Sequence, residues 1–442
     1  MRQGLIAVTV SVALSGCMST PGGFDLPFRK DKPDAEVTRA EQGGNFADAQ
    51  SERSEENRSE IIDALVARRS VLPHGSPYAQ VADAALAASA RTAEAELMQA
   101  RMRSRAADKN WLPSLGPQIS LNSLSSFIAT LVIDQVIFDN GRKKAEREFA
   151  RADVEAAAVQ LSQDQNDRVA TALNLYLAAE ENREKAATTS GALTRMREME
   201  RIMSKRVEGG ISDMSELSVI RSKVAELDSL HEDATRKSRT ARAELAAMTA
   251  VPVDAVQGVT PLAVPEGQVE PLDIYLARAE RERDLAQATI ARAGFLPGIN
   301  ATGAISNRGV NGPDVTISSD SRFGFATPDN LKAVDASKDA AGRRVAQTRE
   351  DVNRRLAALR EQREGHTARL GRAVALAEQG RANANVFKRQ FEAGTRTVSE
   401  VVSVIETMAR LDAEAIAAKF TAAKVEVEIA RELGLLADGS DL

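Results

Sequence analysis

Residues 391–405, FEAGTRTVSEVVSVI, state a pattern that the chain also carries at residues 207–221, VEGGISDMSELSVIR. A shift of 184 residues places Glu208, Gly210, Ser215 and Glu216 onto Glu392, Gly394, Ser399 and Glu400. The same shift pairs Leu112 and Pro113 with Leu296 and Pro297, and Ala225, Leu227 and Asp228 with Ala409, Leu411 and Asp412. A register kept over so many positions marks a tandem duplication, each half built around a tight turn between two long helices. In each turn a glycine supplies the left-handed conformation that ends a helix, and Ser215 and Ser399 are suited to cap the next one. The reading predicts two antiparallel helices running back from each tip.

Composition agrees with helix-on-helix packing. Of 442 residues, 43% are hydrophobic but only 4% aromatic, and alanine is conspicuous. Helical seams tolerate alanine, whereas globular cores want bulk. Charges of both signs are spread evenly and the net charge is -5, which argues against nucleic acid as the main partner.

At the N-terminus Arg2 precedes an apolar run over residues 4–14, followed by Leu14, Ser15, Gly16 and Cys17. The pattern is similar to a bacterial lipoprotein signal over residues 1–16, with Cys17, the sole cysteine, as the lipidated first residue after cleavage. An ordinary secretory signal ending in a small residue and cysteine is the alternative. Met18, rather than an aspartate, follows the cysteine, as in lipoproteins sorted to the outer membrane. Residues 17–77 read as a polar tether with a short helix near residues 56–69. Nowhere else is there an apolar run of the roughly 20 residues that a membrane-spanning helix needs, so any bilayer crossing falls to strands.

Residues 78–250 make the first repeat: a helix to about Asn110, strands within 117–138, a helix that begins after Asp139, Asn140 and Gly141, a tip at 208–216, and a returning helix. In that last helix Leu217, Ile220, Val224, Leu227 and Leu230 recur at coiled-coil spacing. Residues 251–271 form a proline-rich linker. Residues 272–436 repeat the order, with strands within 299–327, a turn at Pro328, Asp329 and Asn330, and a tip at 392–400; residues 437–442 are a tail. The second strand pair is expected at 299–306 and 315–327, with Gly303, Gly309 and Gly312 weakening it.

Four short strands cannot close a barrel with a filled interior, which takes about eight, and a narrow helical seam buries little alone. Both features predict a homo-oligomer.

The order helix, strand pair, long helix, tip and helix, given twice, resembles the TolC-type outer-membrane channel-tunnel (outer membrane efflux protein) family, and the lipobox resembles its lipid-anchored branch. Gly394, Thr395, Arg396 and Thr397 with residues 398–402 are similar to the family's tip motif. The prolines of Leu112-Pro113 and Leu296-Pro297 match those that introduce its strands, and Phe138-Asp139-Asn140-Gly141 resembles its strand exit. The resemblance covers residues 78–436. It implies a mainly α fold with short β segments, whose duplicated antiparallel helical hairpins form a trimeric α-barrel. Four strands per chain would contribute to a shared twelve-stranded outer-membrane β-barrel. It further implies an exit duct extending into the periplasm of a Gram-negative bacterium, opened at its tip by a periplasmic adaptor (membrane fusion) protein and an inner-membrane ABC or proton-driven transporter. Drug efflux, metal efflux and type I protein secretion all use that architecture.

Glu208, Gly210, Ser215, Gly394, Arg396, Thr397 and Ser399 are the candidate docking residues, or equally the caps of the helices. Arg396 is the strongest candidate, because a cap does not require arginine. Where well-studied family members carry an acidic constriction, this chain offers Asn383 and Asn385, with Glu392 and Glu378 the nearest carboxylates; Glu378 reads as a solvated charge. Trp111 reads as a membrane-interface anchor or a filler of the junction between strands and helices. The three histidines, His74, His231 and His366, lie far apart and lack zinc-helix spacing, no phosphate-cradling glycine loop is present, and no enzyme, metal or cofactor is expected. A periplasmic coiled-coil spacer lipoprotein is the alternative, but it gives no reason for strand blocks at matching points of a duplication.

Overall fold

The computed structural model describes residues 59–88, 92–123, 126–265, 269–306, 309–319 and 324–439. The expected signal, Cys17 and nearly all of the tether lie outside the described residues.

Three helices lead in: α1 (Glu60–Val66), α2 (Pro77–Ala87) and α3 (Thr92–Ala107). Strands β1 (Ser114–Ser123) and β2 (Ser126–Phe138) follow, then the hairpin of α4 (Arg142–Glu208) and α5 (Met214–Met248). The second half consists of α6 (Leu272–Gly294), β3 (Gly298–Ser306), β4 (Gly309–Ser318), α7 (Thr327–Glu392) and α8 (Val398–Glu432). The 184-residue shift carries Ser114 onto Gly298, Glu208 onto Glu392, Met214 onto Val398 and Met248 onto Glu432, all of them element boundaries. With 67 residues at 1.5 Å each, α4 is about 100 Å long.

The single helix expected from Tyr78 to about Asn110 is instead α2 and α3. Arg168 of α4 explains the end of α2: its Nε donates to Ala85 O at 2.6 Å and its Nη2 to Met248 O at 2.7 Å. One guanidinium thereby satisfies terminal carbonyls of α2 and α5 together.

The four strands form one antiparallel sheet in the order β1-β2-β3-β4, so the two halves join edge to edge at β2 and β3. The fourth strand is Gly309–Ser318, not 315–327. Its glycine and asparagine read as loop, yet Ser306 already pairs with Gly309, whose φ of 140° glycine alone adopts readily. Pro328 does not make a turn; it lies in the first turn of α7, where its missing N–H leaves no bond unmade. Asp139 caps α4, accepting from Gly141 N at 3.1 Å and Lys143 N at 2.6 Å, while Asn140 takes a left-handed φ of 55°. Asn140 Nδ2 also donates to Pro297 O at 2.9 Å, tying the exit of β2 to the start of β3.

Side chains segregate across this sheet. Leu115, Leu131, Ile133, Ile305, Val315 and Ile317 share one face through the pairings Leu115↔Ile133, Leu131↔Ile305 and Ile299↔Ile317, and most are exposed. The other carries Gln118, Thr130, Asp134, Asn300, Thr302 and Asp314, with Val132 and Val136 among its apolar exceptions. Edges β1 and β4 have no strand partner among the described residues.

Helix packing falls into layers. Near the tips Leu193, Met196 and Met203 of α4 meet Leu217 and Ile220 of α5 and Val398, Val401 and Ile405 of α8. Leu230, expected in the same seam, is instead exposed. Midway, Tyr78 and Val81 of α2, Leu173 and Tyr176 of α4, Leu245 of α5 and Phe420 of α8 form the largest layer, with Leu262 of the connection. That connection is packed rather than free: Tyr176 Oη donates to Gly258 O at 2.8 Å, and Leu262 N to Glu426 Oε2 at 3.2 Å. Among the described residues no helix is long and apolar enough to cross a membrane.

Candidate functional site

The two tips share one backbone turn and its hydrogen bonds. Gly210 and Gly394 take φ of 69° and 75°. Ile211 N donates to Arg206 O at 2.8 Å and Thr395 N to Gln390 O at 2.9 Å, the six-to-one bond that closes a helix over a left-handed residue. The next helices are capped by Asp213 and Thr397, not by Ser215 and Ser399. The chain needs three residues after the glycine before it turns into a helix, so each serine falls inside the first turn.

Chemically the tips differ. In the second, Thr397 and Glu400 form a reciprocal capping box, with Thr397 N to Glu400 Oε2 at 2.8 Å and Glu400 N to Thr397 Oγ1 at 3.3 Å. Arg396 braces it, its Nη1 2.7 Å from Glu400 Oε1, its Nε 3.1 Å from Gln390 Oε1 and its Cζ 4.6 Å from the Phe387 ring centroid. The Thr397 backbone N–H, followed by the Arg396 guanidinium, holds the Glu400 carboxyl below its ordinary value. Arg396 therefore has a structural occupation inside its own tip. The first tip has no such brace and leaves Ile211 and Met214 exposed. Glu208 there is exposed and accepts from Ser204 Oγ at 3.2 Å.

Asn383, Asn385 and Glu392 are all exposed on the last turns of α7, and Glu392 lies 3.9 Å from Lys388 Nζ. Glu378 is also exposed. Trp111 is exposed just ahead of β1, its carbonyl accepting from Gln135 Nε2 at 3.0 Å.

Several polar ties were not singled out in the sequence. Lys223 of α5 pairs with Glu406 of α8 at 2.7 Å, linking the two hairpins beside a cleft of about 760 Å³ between α4, α5 and α8. The duplicated pairs Arg197–Asp228 and Arg381–Asp412, at 3.0 and 2.8 Å, brace the two hairpins from within. The Asp412 side chain is 5% exposed and that of Asp228 43%, because α8 packs against α4 as well as α7. Burial pushes the Asp412 carboxyl up, against the pull of Arg381 and Arg195. Glu180, 1% exposed, clasps Arg183 at 2.8 Å and Arg242 at 3.2 Å and accepts from Gly258 N at 3.2 Å. Burial alone would raise its pKa; hydrogen bonds from Arg183 and the Gly258 N–H, with the charges of Arg183 and Arg242, outweigh that and lower it. The shift of 184 made the Arg–Asp pairs legible, and Glu180 interrupts the apolar stripe of Val169, Leu173 and Tyr176. His231 Nδ1 sits 2.9 Å from Ala186 O, and among the described residues no group of three His, Cys, Asp or Glu could hold a metal ion.

Solved structures share this arrangement of long helical hairpins and a four-stranded sheet. OprN, described as an outer-membrane channel, superposes with a TM-score of 0.71 at 16% identity, covering 85% of this chain and 96% of its own. The chain has the fold of an outer-membrane channel. The CmeC outer membrane channel of Campylobacter jejuni matches with a TM-score of 0.68 at 13% identity, over 82% of this chain and 87% of CmeC. The outer membrane protein VceC of Vibrio cholerae gives 0.65 at 16% identity, over 85% and 95%. The sequence model of the family described as Outer membrane efflux protein matches residues 84–251, which include α3 to α5 and the first tip. No curated protein matched in sequence. The mainly α fold and the likeness to TolC-type channels expected from the tip and strand-exit motifs are thus met.

Proposed function

We propose that this chain is the outer-membrane exit duct of a tripartite efflux or type I protein secretion system, a passive channel-tunnel opened at its periplasmic tip. The observation that carries the reading is the sheet: one exposed apolar face, one polar face, and two edges unpaired among the described residues, set on hairpins about 100 Å long. A four-stranded sheet with such edges is completed by strands from other copies. Three copies give twelve strands, with the apolar face toward lipid and the polar face around water. The helices then form the wall of a periplasmic tunnel.

In this assembly the tips, with Gly210, Ser215, Gly394, Thr397 and Ser399 shaping them, meet a periplasmic adaptor protein, and an inner-membrane ABC or proton-driven transporter supplies the energy. Asn383, Asn385 and Glu392 stand near the narrow end. Trp111 sits at the membrane boundary, where tryptophan is favoured. Cys17 carries lipid that holds the N-terminus in the outer membrane. The cargo is left to the transporter.

Planar-bilayer recording of purified protein is the test. Discrete conducting steps, larger in variants with Lys223→Ala and Glu406→Ala at the tip end, are expected. Protein that inserts but never conducts, with or without those changes, would favour the coiled-coil spacer instead.

A further inference from the structure

The geometry points to Asp134 and Asp314 as residues that make the strand-lined part of the duct cation-selective. The inference rests on the duct reading and adds a property of its lumen.

Across β1 to β4 the sequence contains no lysine, arginine or histidine, and its only ionisable side chains are these two aspartates. They are 180 residues apart in sequence and come from different halves of the duplication. The register nevertheless brings them to one level, Asp134 opposite Thr302 and Thr302 opposite Asp314. Directly opposed residues share a face, and strands lie roughly 4.8 Å apart, so the two carboxylates stand about 10 Å apart across Thr302. That face is the polar one. Both aspartates are exposed, and neither has an ion-pair partner among the described residues.

Their height is also defined. Asp134 is four residues from the end of β2 at Phe138, and Asp314 four from the end of β4 at Ser318. At about 3.3 Å per residue the pair lies roughly 13 Å above the helical end of the sheet. Three copies closing one barrel would set six carboxylates at a single level. Their fields extend about 8 Å at physiological ionic strength, enough to overlap with those of neighbours around the ring. Rings of aspartate or glutamate favour cations. The turns before Gly394 offer no comparable set of one sign: Arg381, Lys388 and Arg389 stand among Glu378 and Glu392, with Asn383 and Asn385 between them.

The test is the reversal potential of single pores in a KCl gradient. Wild type is expected to prefer K⁺; Asp134→Asn with Asp314→Asn should bring the K⁺/Cl⁻ permeability ratio toward one, and Asp134→Lys with Asp314→Lys should invert it. Conducting Asn variants with wild-type selectivity would overturn the inference and leave the duct standing, whereas a wild type that never conducts would sink the duct reading itself. Should the variants fail to insert, wild type alone decides. A carboxylate ring loses selectivity as salt rises from 0.1 M to 1 M and the screening length falls from about 10 Å to 3 Å. Selectivity that is absent at low salt, or unchanged across that range, would contradict the assignment.

Discussion

Helices α4 and α7 occupy the same place in the duplication and are 67 and 66 residues long, yet their surroundings are opposite. α4 buries residues at nearly every turn from Ala145 to Met203. α7 buries only Thr327, Ala341, Val352, Leu356, Ala377, Gly380 and Ala384. The chain encloses its first long helix with α1, α2, α3, α5, α6 and α8, but its second only with α6 and α8. Equal helices thus have unequal cover within the chain, and α7 leaves the apolar side chains of Val374 and Leu376 half-exposed. The seams differ too. Leu193 and Met196 fill the first hairpin where the 184-residue shift puts Ala377 and Gly380 in the second.

The largest expected effect lies on the enclosed side. Leu173 is fully buried, and Leu173→Ala should cost about 2–5 kcal/mol, lowering the melting temperature at every protein concentration. The same truncation at Leu376 should act on association, so that its effect on melting grows as the protein is diluted. Equal, concentration-independent losses at both positions would erase the contrast.

Gly380 sharpens the comparison of seams. A Cβ there would lie 2.9 Å from Leu411 Cδ1 and 3.7 Å from Met408 Cα. Leu411 can yield a little, but Gly380→Val should still cost roughly 1–3 kcal/mol by forcing the hairpin apart. Replacement of Met196 by leucine, at the matching point of α4, should cost less, roughly 1 kcal/mol. Thermal melts of the two variants compare the hairpins directly.

Acid stability separates the two hairpins by sign. Glu180 has a folded pKa below 4.5, so it contributes stability above that value and loses it as pH falls through the lowered folded value. Asp412 has a folded pKa above 3.8; its ionisation costs stability at neutral pH, and the cost is relieved as pH falls through the raised value. Melting temperature against pH should therefore fall less steeply on the acid side in Glu180→Gln and more steeply in Asp412→Asn. Parallel acid limbs in the two variants and wild type would refute the assignment. The smallest effect is at the second tip, where Arg396→Ala removes the contact with Phe387 and should cost on the order of 0.5–1 kcal/mol.

Much of the fold was legible because duplication repeats the signals. The Leu112-Pro113 and Leu296-Pro297 pairs precede β1 and β3, Asp139 to Gly141 separate β2 from α4, and Gly210 and Gly394 end the long helices. β4 was misplaced because Gly309, Asn311 and Gly312 have loop chemistry, and only pairing with β3 turns them into a strand. Ser215 and Ser399 have the composition of caps but not the position; the distance from the left-handed glycine decides that. The partners of Arg168 and Glu180 were illegible for a different reason, although Glu180 does interrupt an apolar stripe. Each joins segments far apart in sequence, and a charged residue within a helix announces nothing until its partners are placed.

On the proposed function, further copies of the chain cover what α7 leaves open. The most direct measurement is the native mass of the protein released from outer membranes in mild detergent. Three copies per particle are expected, with no stable monomer at micromolar concentration. A monodisperse, thermally stable monomer would contradict it.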